Sequence, residues 1–369
     1  MTDILNILIA DEDQLAANLL KDLCASVDGT QILGIARSKD MLIAKINSIV
    51  PDLILMDPTS GLGGVEMIDV IKKMAPDLNI IITYHPHHHD SDILINALEM
   101  GVYECLEKPV DITCRQYNEF RLHFLTITGL LRSRKLFSNR VPAHQYRNRF
   151  FMPGKTPTPP IKKSISASEK TEIVVIASST GGPEILSRIF SILPRTLKVP
   201  VLLVQHIPAA MTRYFAKSLN RKSELDIFEA AHGDEILPGK VYMAPGGQHM
   251  TVSKPDDQGK RFILLNSNPP VNSVRPSADI LFESVAESYK GRILAIVLTG
   301  MGEDGKKGVA AMKSKKCICI SQSAETCVVY GMPRAVDEAG LSDESLDPLD
   351  ITQKIVLMGG VLPLIKPID

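Results

Sequence analysis

Neither sign of charge prevails in the 369 residues: 41 Lys and Arg stand against 42 Asp and Glu, a formal net charge of −1. A general nucleic-acid binder carries a basic excess, so this balance argues against that class. No run of 18 apolar residues is present, and no membrane insertion is expected. The N-terminus, Met1-Thr2-Asp3-Ile4-Leu5-Asn6, lacks the basic region and apolar stretch of a signal peptide. Cysteines number only 6 (Cys24, Cys105, Cys114, Cys317, Cys319, Cys327) and show no CxxC metal spacing. Reduced thiols in a cytoplasmic protein are the expectation. Tryptophan is absent, which decides nothing. What is present is an ordinary globular mix, 44% apolar and 22% charged, which excludes a wholly disordered chain. At roughly 150 residues per domain the length provides for two domains and a connector.

The connector is visible in composition. Residues 132–163 carry nine Lys or Arg, no Asp or Glu, and five Pro. The run Pro153-Gly154-Lys155-Thr156-Pro157-Thr158-Pro159-Pro160 cannot form a helix or a central strand. A solvated linker is favoured over a basic arm for an acidic partner. The expected division is a domain at 1–132, a linker at 133–170 and a second domain at 171–366. On both sides, short β-branched runs alternate with amphipathic stretches, the rhythm of βαβ units and parallel sheets. The runs are 6–10, 53–56, 79–83 and, more weakly, 103–106 in the first half. In the second half they are 172–177, 199–205, 241–244, 292–299 and 317–321.

Ligands of open parallel sheets sit beyond the carboxyl ends of the strands. The first run ends in Asp11-Glu12-Asp13, the second in Asp57, the third in Thr83 and the fourth in Lys108-Pro109. Carboxylates gathered at one edge repel unless a cation compensates them, and a hard divalent ion, most simply Mg²⁺, fits oxygen donors. A carboxylate beside such an ion can attack a phosphoryl donor, with lysine and hydroxyl holding the phosphoryl oxygens. The dense histidines of His85-Pro86-His87-His88-His89 are read as a polar loop rather than a transition-metal site.

This arrangement resembles the receiver domain of two-component response regulators over about residues 4–125. The resemblance implies a flavodoxin-like fold with a five-stranded parallel sheet. It implies Asp57 as phosphoacceptor, Thr83 as switch hydroxyl and Lys108 as phosphoryl contact. Asp11, Glu12, Asp57 and the carbonyl of Thr59 would be the Mg²⁺ ligands. Two departures stand out. The loop Pro58-Thr59-Ser60-Gly61-Leu62-Gly63-Gly64 is one residue short, and the usual aromatic switch position is Cys105.

In the second half, the first run breaks into Ala177-Ser178-Ser179-Thr180-Gly181-Gly182-Pro183 before a helical pattern. Strand, glycine-rich turn, helix suits a phosphate cradle or a nucleophile turn. The pattern is neither GxGxxG nor GxxxxGKS/T, and no Lys follows the glycines, which weakens the nucleotide alternative. The next run ends at His206-Ile207-Pro208, and a later one in Thr299-Gly300-Met301-Gly302-Glu303-Asp304-Gly305. Serine, histidine and carboxylate at three strand ends of one crevice are what nucleophilic catalysis needs. Glycine-rich loops can add oxyanion donors. Spacing leaves a serine hydrolase, a nucleotide-binding domain and a purely structural domain all open, and it does not choose between Ser178 and Ser179.

Across residues 172–366 these stretches resemble the chemotaxis protein-glutamate methylesterase (CheB) family. Tyr242-Met243-Ala244-Pro245-Gly246 and Val328-Val329-Tyr330-Gly331-Met332-Pro333 match as well. The resemblance implies a doubly wound α/β hydrolytic domain with a mainly parallel sheet. It places the nucleophile at Ser179, the base at His206 and the orienting carboxylate at Asp304. Met301 would supply an oxyanion N–H, and Thr180 would line the site. Ala177 stands where the family has glycine, and Glu303 where it has asparagine or arginine. The family's Asn-Arg-His-Arg-Pro-Ser stretch reads Asn272-Ser273-Val274-Arg275-Pro276-Ser277 here, which leaves the triad intact and bears on substrate contacts. The implied function is a phosphorylation-regulated, cytoplasmic esterase. It would act on glutamate γ-methyl esters of methyl-accepting chemotaxis receptors and also deamidate receptor glutamines. Its phosphoryl source would be a chemotaxis histidine kinase, and the ester reaction needs no cofactor. The competing expectation is a non-catalytic signalling module with a degenerate receiver.

Overall fold

The computed structural model describes residues 4–58, 61–85, 91–111, 115–138 and 171–360. The chain splits into two units, Met1–Gly154 and Lys155–Asp369. Of the stretch expected as linker, 139–170 lies outside the described residues, and 133–138 forms the end of a helix.

The first unit alternates strictly. Its elements are β1 (Leu5–Ala10), α1 (Gln14–Ala25), β2 (Thr30–Ala36), α2 (Lys39–Ser48), β3 (Leu53–Met56), α3 (Glu66–Met74), β4 (Asn79–Tyr84), α4 (Ser91–Glu99), β5 (Glu104–Glu107) and α5 (Arg115–Ser138). The five strands form one parallel sheet in the order β2-β1-β3-β4-β5. Every side chain of β3 is buried, as a strand covered on both faces requires. The strand order reverses between β1 and β3, so a crevice opens where these two strands end.

The second unit comprises β6 (Thr171–Ser178), α6 (Gly182–Ile192), β7 (Val201–Gln205), α7 (Ala209–Lys222), β8 (Asp226–Glu229), β9 (Lys240–Met243), β10 (His249–Val252) and β11 (Ile263–Asn266). It continues with α8 (Ala278–Ser288), β12 (Arg292–Val297), α9 (Lys306–Lys313), β13 (Lys316–Gln322), α10 (Met332–Glu338), β14 (Glu344–Leu346) and α11 (Pro348–Met358). Seven strands form a parallel sheet in the order β14-β13-β12-β6-β7-β9-β8, and β10 and β11 make a separate antiparallel pair. The expected doubly wound, mainly parallel architecture is what the chain adopts. Ile173 and Val175 of β6, Ile293 and Val297 of β12, and Phe282 and Val285 of α8 belong to one buried cluster. Each such side chain contributes about 1.5–3 kcal/mol by leaving water. Strand order reverses between β6 and β12, which puts the second crevice at their carboxyl ends. Among the described residues, no helix is long and apolar enough to cross a membrane.

Candidate active site

Backbone ladders carry the parallel register past the strand ends and fix the loops of the second crevice. Ser178 pairs with Gln205, and His206 N donates to Ser178 O at 3.0 Å. On the other side Ser179 N donates to Thr299 O at 3.0 Å. Ser179 is thereby held between the end of β7, which carries His206, and the end of β12. Gln205 tightens the junction: its Nε2 donates to Ser179 O at 3.0 Å and to His206 O at 3.1 Å. Its Oε1 accepts the Ser178 hydroxyl at 2.7 Å. The choice between the two serines therefore has a geometric side. Ser178 is buried with its hydroxyl committed to Gln205, whereas Ser179 is partly exposed. Gly181 turns the chain into α6 at φ +78°, a backbone that glycine tolerates best.

The loop after β12 lies against Ser179. Gly300 N donates to Val329 O at 3.0 Å, and Gly300 O accepts from Gly331 N at 3.1 Å and Met332 N at 2.8 Å. Next in the chain is Met301, whose N–H has no hydrogen-bond acceptor among the described residues. Thr180 is buried, and its carbonyl accepts from Thr299 Oγ1 at 2.9 Å. A Cβ on Gly300 would lie 2.7 Å from Ser179 Cβ and collide with Met332 Sδ. Gly300→Ala is therefore expected to cost about 1–3 kcal/mol of stability by overpacking. It should also displace Ser179 and lower the esterase activity that the sequence implies. A thermal melt and a hydrolysis rate both at wild-type level would contradict the packing described.

Asp304 reaches His206 across 98 residues of sequence, with Nε2 and Oδ2 3.0 Å apart. Its carboxylate is 3% exposed and fully engaged. Oδ1 accepts from Ser277 Oγ at 2.7 Å, Asn272 Nδ2 at 3.1 Å and Asp279 N at 3.2 Å. Oδ2 accepts from Ala278 N at 2.6 Å. Ala278 and Asp279 are the first residues of α8, so Asp304 caps this helix from a distant loop and gains from its positive end. Ser277 stands at the cap position but makes no cap bond of its own, because its hydroxyl serves Asp304. Burial alone would raise the Asp304 carboxyl; hydrogen bonds from His206, Ser277 and Ala278 outweigh it and hold the group at about 2. Buried His249 accepts Ser277 N–H at Nδ1, 3.2 Å, with Nε2 3.1 Å from Pro269 O. Asn272, Ser277, Asp279, His249 and Gln205 were not singled out as site residues by sequence. In sequence, Asn272 and Ser277 stand only as the ends of a family stretch that bears on substrate contacts; the further local signal is Ser277-Ala278-Asp279, a helix start with an acid in its first turn.

The first crevice gathers Asp11, Asp57, Thr83 and Lys108, all buried. Lys108 Nζ donates to Asp11 Oδ2 at 2.5 Å and to Asp57 Oδ2. Burial raises the Asp11 carboxyl, opposed by Lys108. Among the described residues, Thr83 Oγ1 is buried without a hydrogen-bond partner. The three acids at the end of β1 separate: Asp11 points to Lys108, Asp13 caps α1 through Leu15 N and Ala16 N, and Glu12 is exposed, with its carboxylate near Gly61. Among the described residues, no three His, Cys, Asp or Glu side chains converge as a metal cluster. Two buried carboxylates already converging on a single positive charge, Lys108, nevertheless fit a hard divalent cation. Thr59 lies outside the described residues, as do 86–90 of the histidine-rich loop, Cys114 and 361–366. Cys105, at the expected aromatic position, is buried on β5, and burial pushes its thiol well up.

Residues 174–355 match the family model of the CheB methylesterase, and residues 7–114 match that of the response regulator receiver domain. The protein-glutamate methylesterase/protein-glutamine glutaminase of Desulfotalea psychrophila is 34% identical over 360 residues, which span 95% of this chain and 98% of that protein. The protein of the same name from Thermotoga maritima is 34% identical over 361 residues, 96% of this chain and 99% of that one. The crystal structure of the Thermotoga maritima CheB methylesterase catalytic domain is 41% identical and covers 51% of this chain and 98% of its own, with a TM-score of 0.49. With a receiver match ahead of a methylesterase match, and relatives aligned over nearly their whole length, the chain belongs to the CheB methylesterase family.

Proposed function

We propose that this chain hydrolyses glutamate γ-methyl esters on methyl-accepting chemotaxis receptors, deamidates receptor glutamines by the same chemistry, and is controlled by phosphorylation at Asp57. The observation that carries the catalytic part is the pairing of His206 with the buried, five-fold hydrogen-bonded Asp304, next to a partly exposed Ser179. Because Asp304 occupies Nε2, Nδ1 of His206 is the nitrogen left to serve as base. Ser179 Oγ gives its proton to Nδ1 as the Oγ–carbon bond forms. The carbonyl oxygen becomes an oxyanion, stabilised by Met301 N–H beside Thr180. His206 then passes the proton to the methoxy oxygen, the carbon–oxygen bond breaks, and methanol leaves. Water next gives a proton to His206 while its oxygen bonds to the acyl carbon. The bond to Ser179 breaks, Ser179 regains its proton, and glutamate is released. For a glutamine the leaving group is ammonia.

In the receiver, Asp57 accepts the phosphoryl group from a chemotaxis histidine kinase. Lys108 and the Thr83 hydroxyl, which has no hydrogen-bond partner among the described residues, bind its oxygens. Asp11 and Asp57, with Glu12 and the Thr59 carbonyl, would hold Mg²⁺, which when bound neutralises the carboxylates and the incoming phosphoryl charge. The ester reaction uses no cofactor, and the protein works in the cytoplasm without inserting into the membrane or binding nucleic acid.

The test is methanol release from membranes carrying methylated receptor, with and without acetyl phosphate. The wild type should release methanol, faster with the phosphodonor, and a chain that releases none overturns the proposal in favour of a non-catalytic module. Asp57→Ala should keep the basal rate, lose the response to phosphodonor and show no Phos-tag gel shift. A shift that persists in this variant removes Asp57 as the acceptor.

A further inference from the structure

We infer that Asn272 is a positioning residue of the hydrolase site: its side-chain amide bridges the buried carboxylates of Asp304 and Asp279 and fixes the orientation in which Asp304 meets His206. The inference rests on the hydrolase reading above. The amide nitrogen of Asn272 carries two hydrogens, and each has its own acceptor, Asp279 Oδ2 at 2.8 Å and Asp304 Oδ1 at 3.1 Å. The two carboxylates are 2% and 3% exposed, and like charges this deeply buried repel strongly. Each is compensated at a helix start: Asp304 by Ala278 N and Asp279 N of α8, Asp279 by Gly308 N of α9 at 2.8 Å. Among the described residues, Asn272 is the one side chain that donates to both.

Burial, followed by the nearby Asp304 charge, raises the Asp279 carboxyl, with Gly308 N–H and Asn272 opposing. The two acids are therefore driven apart in proton affinity: Asp304 stays ionised for His206, and Asp279 is the member that protonates first. Loss of the amide leaves Asp304 Oδ1 with two of its three donors and weakens the compensation of Asp279, which keeps Gly308 N, and this favours rotation away from His206.

Asn272 does this from an unfavourable backbone. Its φ is +53° and that of Ser273 is +65°, two successive non-glycine residues in the left-handed region. Glycine would relieve the first of these, but glycine has no amide side chain. Substitution by glycine thus separates a turn-forming role from a positioning one.

The experiment measures the rate of Ser179 labelling by a fluorophosphonate, and kcat and KM for a small ester, on the full chain. In Asn272→Gly the relief of the left-handed backbone opposes the loss of two hydrogen bonds to buried carboxylates, so the melting temperature is expected to stay within a few degrees of wild type. Its labelling rate and kcat should fall about tenfold, the size of one hydrogen bond to a charged group, with KM within about twofold of wild type. Asn272→Asp, which tolerates the same backbone but has no N–H to donate, should fall at least as far, and it serves if the glycine variant folds poorly. In an Asp304→Asn background the Asn272→Gly change should have no further effect on the labelling rate, because it acts through Asp304. A wild-type kcat, a rise in KM alone, or an undiminished further drop in the Asp304→Asn background overturns the assignment. A wild type that is neither labelled nor active overturns the hydrolase reading itself, a result that does not resemble any of these.

Discussion

Methanol release by Ser179→Ala is expected to fall on the order of 10⁶-fold, to a rate set by binding and oxyanion contacts alone. The size follows from the chemistry. On the proposed mechanism, loss of the hydroxyl leaves no acyl-enzyme and no nucleophile for His206 and Asp304 to activate, so their contributions vanish together rather than one by one. The control is the neighbouring residue. Ser178→Ala removes a buried hydroxyl that donates to Gln205 Oε1 at 2.7 Å. That should cost about 0.5–1.5 kcal/mol of stability and leave most of the activity, because Gln205 still holds Ser179 O and His206 O through Nε2. The pair is measured on methylated receptor membranes together with a denaturation curve. Activity surviving in Ser179→Ala and lost in Ser178→Ala would transfer the nucleophile to the other serine.

The strands that were legible in sequence are those buried on both faces. Leu53–Met56 is a continuous apolar run because nothing on it touches water. The strands that were missed lack that signature. Thr30–Ala36 is an edge strand, half-buried along most of its length, with Gly34 at a slip in its register against β1. Asp226–Glu229, His249–Val252 and Ile263–Asn266 are four residues long and mixed in polarity, and Glu344–Leu346 is shorter still. Their pairing comes from tertiary contacts, which no local period encodes.

The site divides along the same line. Asp57 and His206 stand directly after an apolar run, and that position marks them in the sequence; Ser179 comes one residue later, and position alone does not separate it from Ser178. The acidic cluster Asp11-Glu12-Asp13 could not be apportioned that way, because the roles depend on direction: inward to Lys108, outward near Gly61, or back onto the first turn of α1. The cradle of Asp304 was illegible for a different reason. Its donors, Asn272, Ser277, Ala278 and Asp279, lie 25 to 32 residues away in sequence. They meet it only once α8 and the loop after β12 have packed.

Asp304→Asn is expected to lower kcat about 10⁴-fold, by the wrong tautomer of His206 rather than by loss of the residue's shape. The surroundings dictate how the new amide must sit. Three donors crowd the Oδ1 position, Ser277 Oγ, Asn272 Nδ2 and Asp279 N, so the asparagine oxygen goes there. Its NH₂ then faces His206 Nε2 and Ala278 N, where Oδ2 stood. An amide donating to Nε2 forces the imidazole proton onto Nδ1, the atom that in the proposed mechanism receives the proton of Ser179. Ala278 N–H meanwhile loses its acceptor, so the variant should also be less stable by about 1–3 kcal/mol. The pH dependence carries an independent sign. Asp304 ionises at about 2 in the folded chain against an ordinary 3.8, so its stabilisation is fully present above pH 3.8 and is lost as pH falls through 2. The wild type should therefore lose more stability than Asp304→Asn across that window, and the two denaturation curves should draw together at low pH. Parallel curves, or a variant with near-normal kcat, would mean that Asp304 is neither the buried carboxylate nor the tautomer anchor that its five hydrogen bonds describe.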